Sequence, residues 1–149
     1  MAKFTYKMQN ILNVKYKLET QAKTSFSLAA AKLNREEEKL EGLHQRKQGY
    51  EAQAKKLVSD KLDFQAIKVN RIAIETMKGE IRNQVVAVHV AERNLESARQ
   101  RLQDVMIERK THEILREKAF DEFKKELEKE ESKAVDELVS FTHNHVQIE

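Results

Sequence analysis

The stretch IKVNRIAIETMKGEIRNQVVAVHVAERNLESARQRL, residues 67–102, decides the fold. Within it Ile67, Ile74, Ile81, Val88, Leu95 and Leu102 recur at an unbroken spacing of seven. A seven-residue period lays a narrow apolar stripe along one side of an α-helix, and such a stripe is buried only against another helix. Phe26, Leu33 and Leu40 keep the same spacing earlier, with Ala29, Leu43, Tyr50 and Leu57 on the companion position. No proline interrupts the 149 residues. The chain reads as all-α, made of long helices packed on each other, and works through a surface, not an enclosed pocket.

Composition agrees with that reading. Charged residues are 36%, aromatics only 6% and tryptophan is absent, too little bulk to fill a thick core. Enrichment in Lys, Glu, Leu, Ala and Arg with helical periodicity marks a coiled coil, not a disordered chain. With no cysteine there is no disulfide, thiolate metal site or cysteine nucleophile. No apolar run approaches the ~20 residues of a membrane span, and the start of the chain lacks a signal-peptide stretch. The expectation is a cytoplasmic protein. Net charge is +3 but uneven: residues 1–35 hold seven basic residues against Glu19, whereas residues 120–149 hold nine acids against four lysines. Folding the chain back on itself brings these opposite ends within mutual attraction.

The stripe fades after Leu57 and Val58, and Ser59-Asp60-Lys61-Leu62-Asp63 carries the capping chemistry for a new helix. The expected organisation is one coiled-coil domain over residues 1–149. It comprises a helix at about 8–58, a turn at about 59–63, a helix at about 64–140 and a short C-terminal tail. These helices are roughly 75 Å and 115 Å long, and so short a link leaves only an antiparallel hairpin. The first helix then starts opposite residue ~115, and about 20 residues of the second overhang. Two steps of four disturb the period, from Leu102 to Met106 and from Ile11 and Leu18 to Ala22 and Phe26; each reads as a stutter that locally unwinds the supercoil. Glu36 and Lys47 fall on stripe positions, where a polar residue fixes register at some cost in stability. Gly42, Gly49 and Gly79 lie inside helical stretches, off the stripe.

Signals for catalysis are missing. Three isolated glycines build no phosphate-cradling loop, and no serine sits on a nucleophile elbow. The abundant carboxylates have no cleft to separate their pKa values. His143 and His145 would chelate a metal only from an extended tail, and no third ligand has the spacing to join them. Acids alternate with bases, as in Arg35-Glu36-Glu37-Glu38-Lys39, where a nucleic-acid binder displays a continuous basic face. The expectations are no enzyme, no cofactor, no metal and no nucleic acid.

Four blocks in order carry a resemblance. They are Phe4-x-Tyr6-x-x-Gln9-x-x-Leu12; Glu38-Lys39-Leu40-x-x-Leu43 with Tyr50 beyond; the break from Ser59 to Gln65; and Glu131-x-x-x-Val135-Asp136-Glu137-Leu138. Together they resemble FliJ, a family of soluble components of the bacterial flagellar export apparatus, over nearly the whole chain. The resemblance implies an antiparallel coiled coil similar to the central stalk of rotary ATPases. It also implies association with the export ATPase FliI, its regulator FliH, the export gate protein FlhA and export chaperones, with only peripheral contact to the membrane through partners. For the gate, the matching positions are Leu43, Tyr50, Met77 and Gln84; Ala73 stands where the family pattern often carries an aromatic. Leu43 and Tyr50 also fit the hairpin's own stripe, so burial and contact both stay open for them.

The function expected is a non-catalytic, stalk-like rod coupling the export ATPase ring to the gate of the flagellar type III apparatus. Phe120, Phe123, Leu127, Leu138 and Phe141 are the candidate ring contacts, apolar residues expected to lack a partner within the stem. The same strip would equally close a homodimer. The competing readings are a structural or dimerising coiled-coil spacer and the equivalent stalk of a virulence-type secretion system.

Overall fold

The computed structural model describes residues 2–59 and 61–148, with side chains placed through residue 145. It is all-helical, and two long helices pack together: α1, Gln9–Ser59, and α2, Phe64–Ile148. Among the described residues there is no strand. Asp63 starts α2 as an N-cap. Its Oδ1 accepts the amides of Gln65 (3.1 Å) and Ala66 (3.2 Å), and its carbonyl accepts the amide of Ile67 (3.0 Å), meeting donors that the first turn cannot satisfy. Ser59 ends α1 by donating from Oγ to the Lys56 carbonyl (3.0 Å). Asp60, a member of the expected turn, lies outside the described residues.

The expected C-terminal tail is helix instead, since α2 runs on to Ile148. No proline or glycine stops it after Gly79. Thr142 Oγ1 bonds the Leu138 carbonyl one turn back (2.9 Å), and the Phe141 and His145 rings stack at 6.0 Å. His143 and His145 therefore stand two apart on a helix and face different sides; the chelate imagined for an extended tail does not form.

Packing groups the chain into two compact units. The central unit is Gln21–Gln103, and the terminal unit joins Met1–Thr20 with Asp104–Glu149. In the central unit the paired positions fall on one helix as they rise on the other: Tyr50 meets Asn70, and Glu36 meets Gln84. In the terminal unit Gln9 meets Arg116, Tyr16 meets Glu113, and Glu19 meets Arg109. Both pairings are antiparallel.

The isoleucine stripe is one edge of the seam, with Ile67, Ile74, Ile81, Leu95 and Leu102 half-buried. Of that series only Val88 is buried, whereas Asn70, Met77, Ala91 and Val105, three residues beyond the marked positions, are all buried. Neither stutter exists. Leu12 and Glu19 are both buried at a spacing of seven, while Ile11 is exposed. On α2 the same spacing runs through Arg109 and Phe123, and through Val105, His112 and Ala119, all at least half-buried. Both apparent steps have one cause: an ion pair, buried Glu19 with half-buried Arg109, occupies the seam on both helices and hides its period from an apolar count.

Candidate partner-binding surfaces

In the central unit, small residues and neutral hydrogen bonds hold the helices. Buried Asn70 donates from Nδ2 to the Tyr50 carbonyl (3.0 Å). Gln84 donates from Nε2 to the Glu36 carbonyl (2.9 Å) and to the Glu36 carboxylate. Lys32 adds an ion pair to that carboxylate at 2.9 Å, and Lys39 a longer one at 3.7 Å. The hydrogen bonds from Lys32 and Gln84 hold the Glu36 carboxyl down at about 2, below its ordinary range. Asn70, Gln84 and Glu36 thus each find a partner, which removes the penalty of burying them.

The four residues matched to the gate surface separate here. Met77 is 4% exposed and belongs to the core. Gln84 is half-buried and engaged with Glu36. Leu43 and Gln84 do come together, lining an open groove with Lys39, Gly42 and Arg46 on α1 and Glu80 and Asn83 on α2. Tyr50 lines another groove, with Leu57, Ala66, Val69 and Ala73; the small Ala73 helps to leave it unfilled. A further row was missed. Ile72, Gly79 and Val86 repeat at seven on the outer side of α2, with Ile72 and Val86 57% and 62% exposed. The spacing itself carries this signal, on a side of α2 away from the isoleucine stripe.

The terminal unit is held by charge and rings. Arg109 binds Glu19 through Nε at 2.7 Å and Glu113 through Nη1 at 2.9 Å, and both hydrogen bonds raise its pKa further. Tyr16 donates its hydroxyl to Glu113, which lowers the Glu113 pKa and raises that of Tyr16. Lys15 reaches Glu108 at 3.0 Å, and Arg116 reaches Gln9 at 2.9 Å.

Of the five candidate ring contacts, Phe120 and Phe123 have a partner that the sequence reading did not give them. The non-helical segment preceding α1 carries Phe4 onto both, edge-on to Phe120 at 5.0 Å and tilted to Phe123 at 5.5 Å. The Arg116 guanidinium lies 5.7 Å from the Phe4 ring. A segment without a helical period is invisible to a search for periodicity, so its ring went unplaced. Beside it an open groove remains, lined by Tyr6, Met8, Ala119 and Phe123 among others. Leu127 is half-buried. Leu138 and Phe141 are 64% and 69% exposed, and every described side chain from Glu128 to His145 is exposed. Leu127, Ala134, Leu138 and Phe141 continue the side of α2 on which Arg109, Phe120 and Phe123 meet the chain's beginning.

Among the described residues no three His, Cys, Asp or Glu side chains are grouped to hold a metal ion, and no helix is long and apolar enough to cross a membrane. The model of the family described as Flagellar FliJ protein matches residues 4–147. No curated protein and no solved structure matches the chain.

Proposed function

The chain belongs to the FliJ family, a non-catalytic component associated with flagellar protein export, and from that premise we propose that it is the stalk-like coupling element between the export ATPase and the export gate. In this reading the end of α2 overhangs the start of α1, as in the central stalk of a rotary ATPase, and reaches the FliI ring. FliH, FlhA and export chaperones are its other partners, and it works in the cytoplasm at the membrane's inner face, held there by those partners.

One observation carries the reading. Beyond Leu127, α2 continues as helix with Val135, Leu138, Val139 and Phe141 uncovered, on and beside the face that meets the chain's own beginning earlier on. Exposed apolar side chains in a helical row mark a surface for a partner helix or groove. At the gate, Leu43 and Gln84 supply the open groove of the central unit, while Met77 acts from the core by holding the seam.

The test compares the full chain with Leu138→Glu, Phe141→Glu and a truncation before residue 120, measuring ring assembly and turnover of the export ATPase. The two point variants alter exposed positions and leave folding intact; they are expected to abolish most of the stimulation. Full stimulation by all three would dismiss α2's end as the ring contact.

A further inference from the structure

Two exposed patches of the terminal unit are complementary to each other, yet one chain holds them out of mutual reach. The first lies at the start of α1 and just before it, where Met8, Ile11 and Val14 are 40%, 41% and 51% exposed. Residues 2–20 there carry four lysines against Glu19. The second is the end of α2, with Val135, Leu138, Val139 and Phe141 uncovered and five acids against two lysines over residues 128–145. Within one chain Gln9 sits at the level of Arg116, and Phe4 at that of Phe120 and Phe123. Leu138 is fifteen residues beyond Phe123, roughly 22 Å along the helix. The basic patch of the same molecule cannot cover it.

We propose that a second copy of this chain covers it, in an antiparallel dimer whose two-fold axis passes near Leu127. Counting along α2, that axis sets residue 138 of one copy level with residue 116 of the other, where Gln9 begins α1. Leu138 and Phe141 of each copy then rest on Ile11 and Val14 of the other, and the acidic flank faces Lys3 and Lys7. Symmetry makes the contact twice, as an isologous interface requires. It also extends a helix contact already formed within the chain, with residues of the other copy's α1 continuing where the first copy's α1 begins. The dimer covers the same end of α2 that the proposed function gives to the ring, so one molecule makes one contact at a time, and sedimentation of the chain without the ATPase tests the dimer by itself.

The absence of native cysteine makes the test direct. Ile11→Cys and Leu138→Cys change exposed residues; the two purified variants are mixed and oxidised, and sedimentation is run in parallel on the native chain. The mixed disulfide should form in clear excess over either homodimer. Native dimerisation should weaken about tenfold or more in Leu138→Glu and also in the double variant Lys3→Glu with Lys7→Glu. Strictly monomeric native chain at all concentrations reached overturns the proposal. So does predominant self-linking of Leu138→Cys, which would put like ends together. A dimer indifferent to the lysine changes overturns it as well.

Discussion

The two units solve the same problem, keeping polar groups inside a narrow helix seam, with a different partner across it. In the central unit amides cross the seam, Asn70 to a carbonyl and Gln84 to the carbonyl and carboxylate of Glu36, while Lys32 and Lys39 pair that carboxylate from its own helix. In the terminal unit a guanidinium sits between two carboxylates, Arg109 between Glu19 and Glu113, beside a cluster of phenylalanine rings. Amides fix register through direction and distance, with modest net energy. A half-buried charge pair is costly to disturb and adds little over an apolar pair. The terminal unit therefore depends on its few large side chains, and the central one on many small contacts.

The largest expected effect follows from that dependence. Leu12 is 2% exposed and sits in the terminal seam beside Tyr16, Glu113 and Arg116, and Val105, further along the same seam, is 1% exposed. Leu12→Ala should cost about 3 kcal/mol, the usual sum of lost transfer energy and a residual cavity. Hydrogen exchange should quicken over residues 9–20 and 104–123 far more than over residues 66–100. Equal acceleration in both stretches would show that the two units open together and that the contrast between them has no energetic meaning.

A smaller effect probes the central unit through pH. The folded Glu36 carboxyl is held at about 2, below its ordinary 4.5. The stabilisation it gives is complete above the unfolded value and is lost as pH falls from about 5 toward 2. Glu36→Gln should lower the thermal midpoint at pH 7 by about 5 °C. The gap to the native chain should close as pH drops through that window. A gap that persists at pH 2 would mean that the side chain matters for its shape and not its charge.

What the sequence made legible divides along the same line. The seam shows wherever it is apolar, so Phe26, Leu33 and Leu40 and the isoleucine series disclose two helices and their pairing. It vanishes where Glu19, Asn70, Gln84 and Arg109 enter it, because a hydrophobic count cannot tell a satisfied buried polar group from a solvated one. Of the candidate site, the groove-lining Leu43 and Gln84 are among the positions that the family resemblance marks. The burial of Met77 and the contact of Phe4 with Phe120 are not legible in the sequence. Burial at one position of a heptad depends on the opposing helix, and the segment before α1 has no period at all.

The smallest effect separates stability from contact within the central groove. A methyl group added at Gly42 or at Gly49 would meet no atom within 4 Å. Neither glycine is required by packing, and each costs its helix about 1 kcal/mol relative to alanine. Gly42→Ala and Gly49→Ala should therefore each stabilise the chain by about that amount in denaturant unfolding. Only Gly42 lines the groove with Leu43 and Gln84. If a partner's backbone lies in that groove, alanine at position 42 fills the space it needs, and binding to the export gate weakens although the fold is firmer. Alanine at position 49 should leave binding unchanged. Equal binding by both variants would separate the groove from the gate, and would leave glycine at position 42 as a tolerated loss on an open helix face.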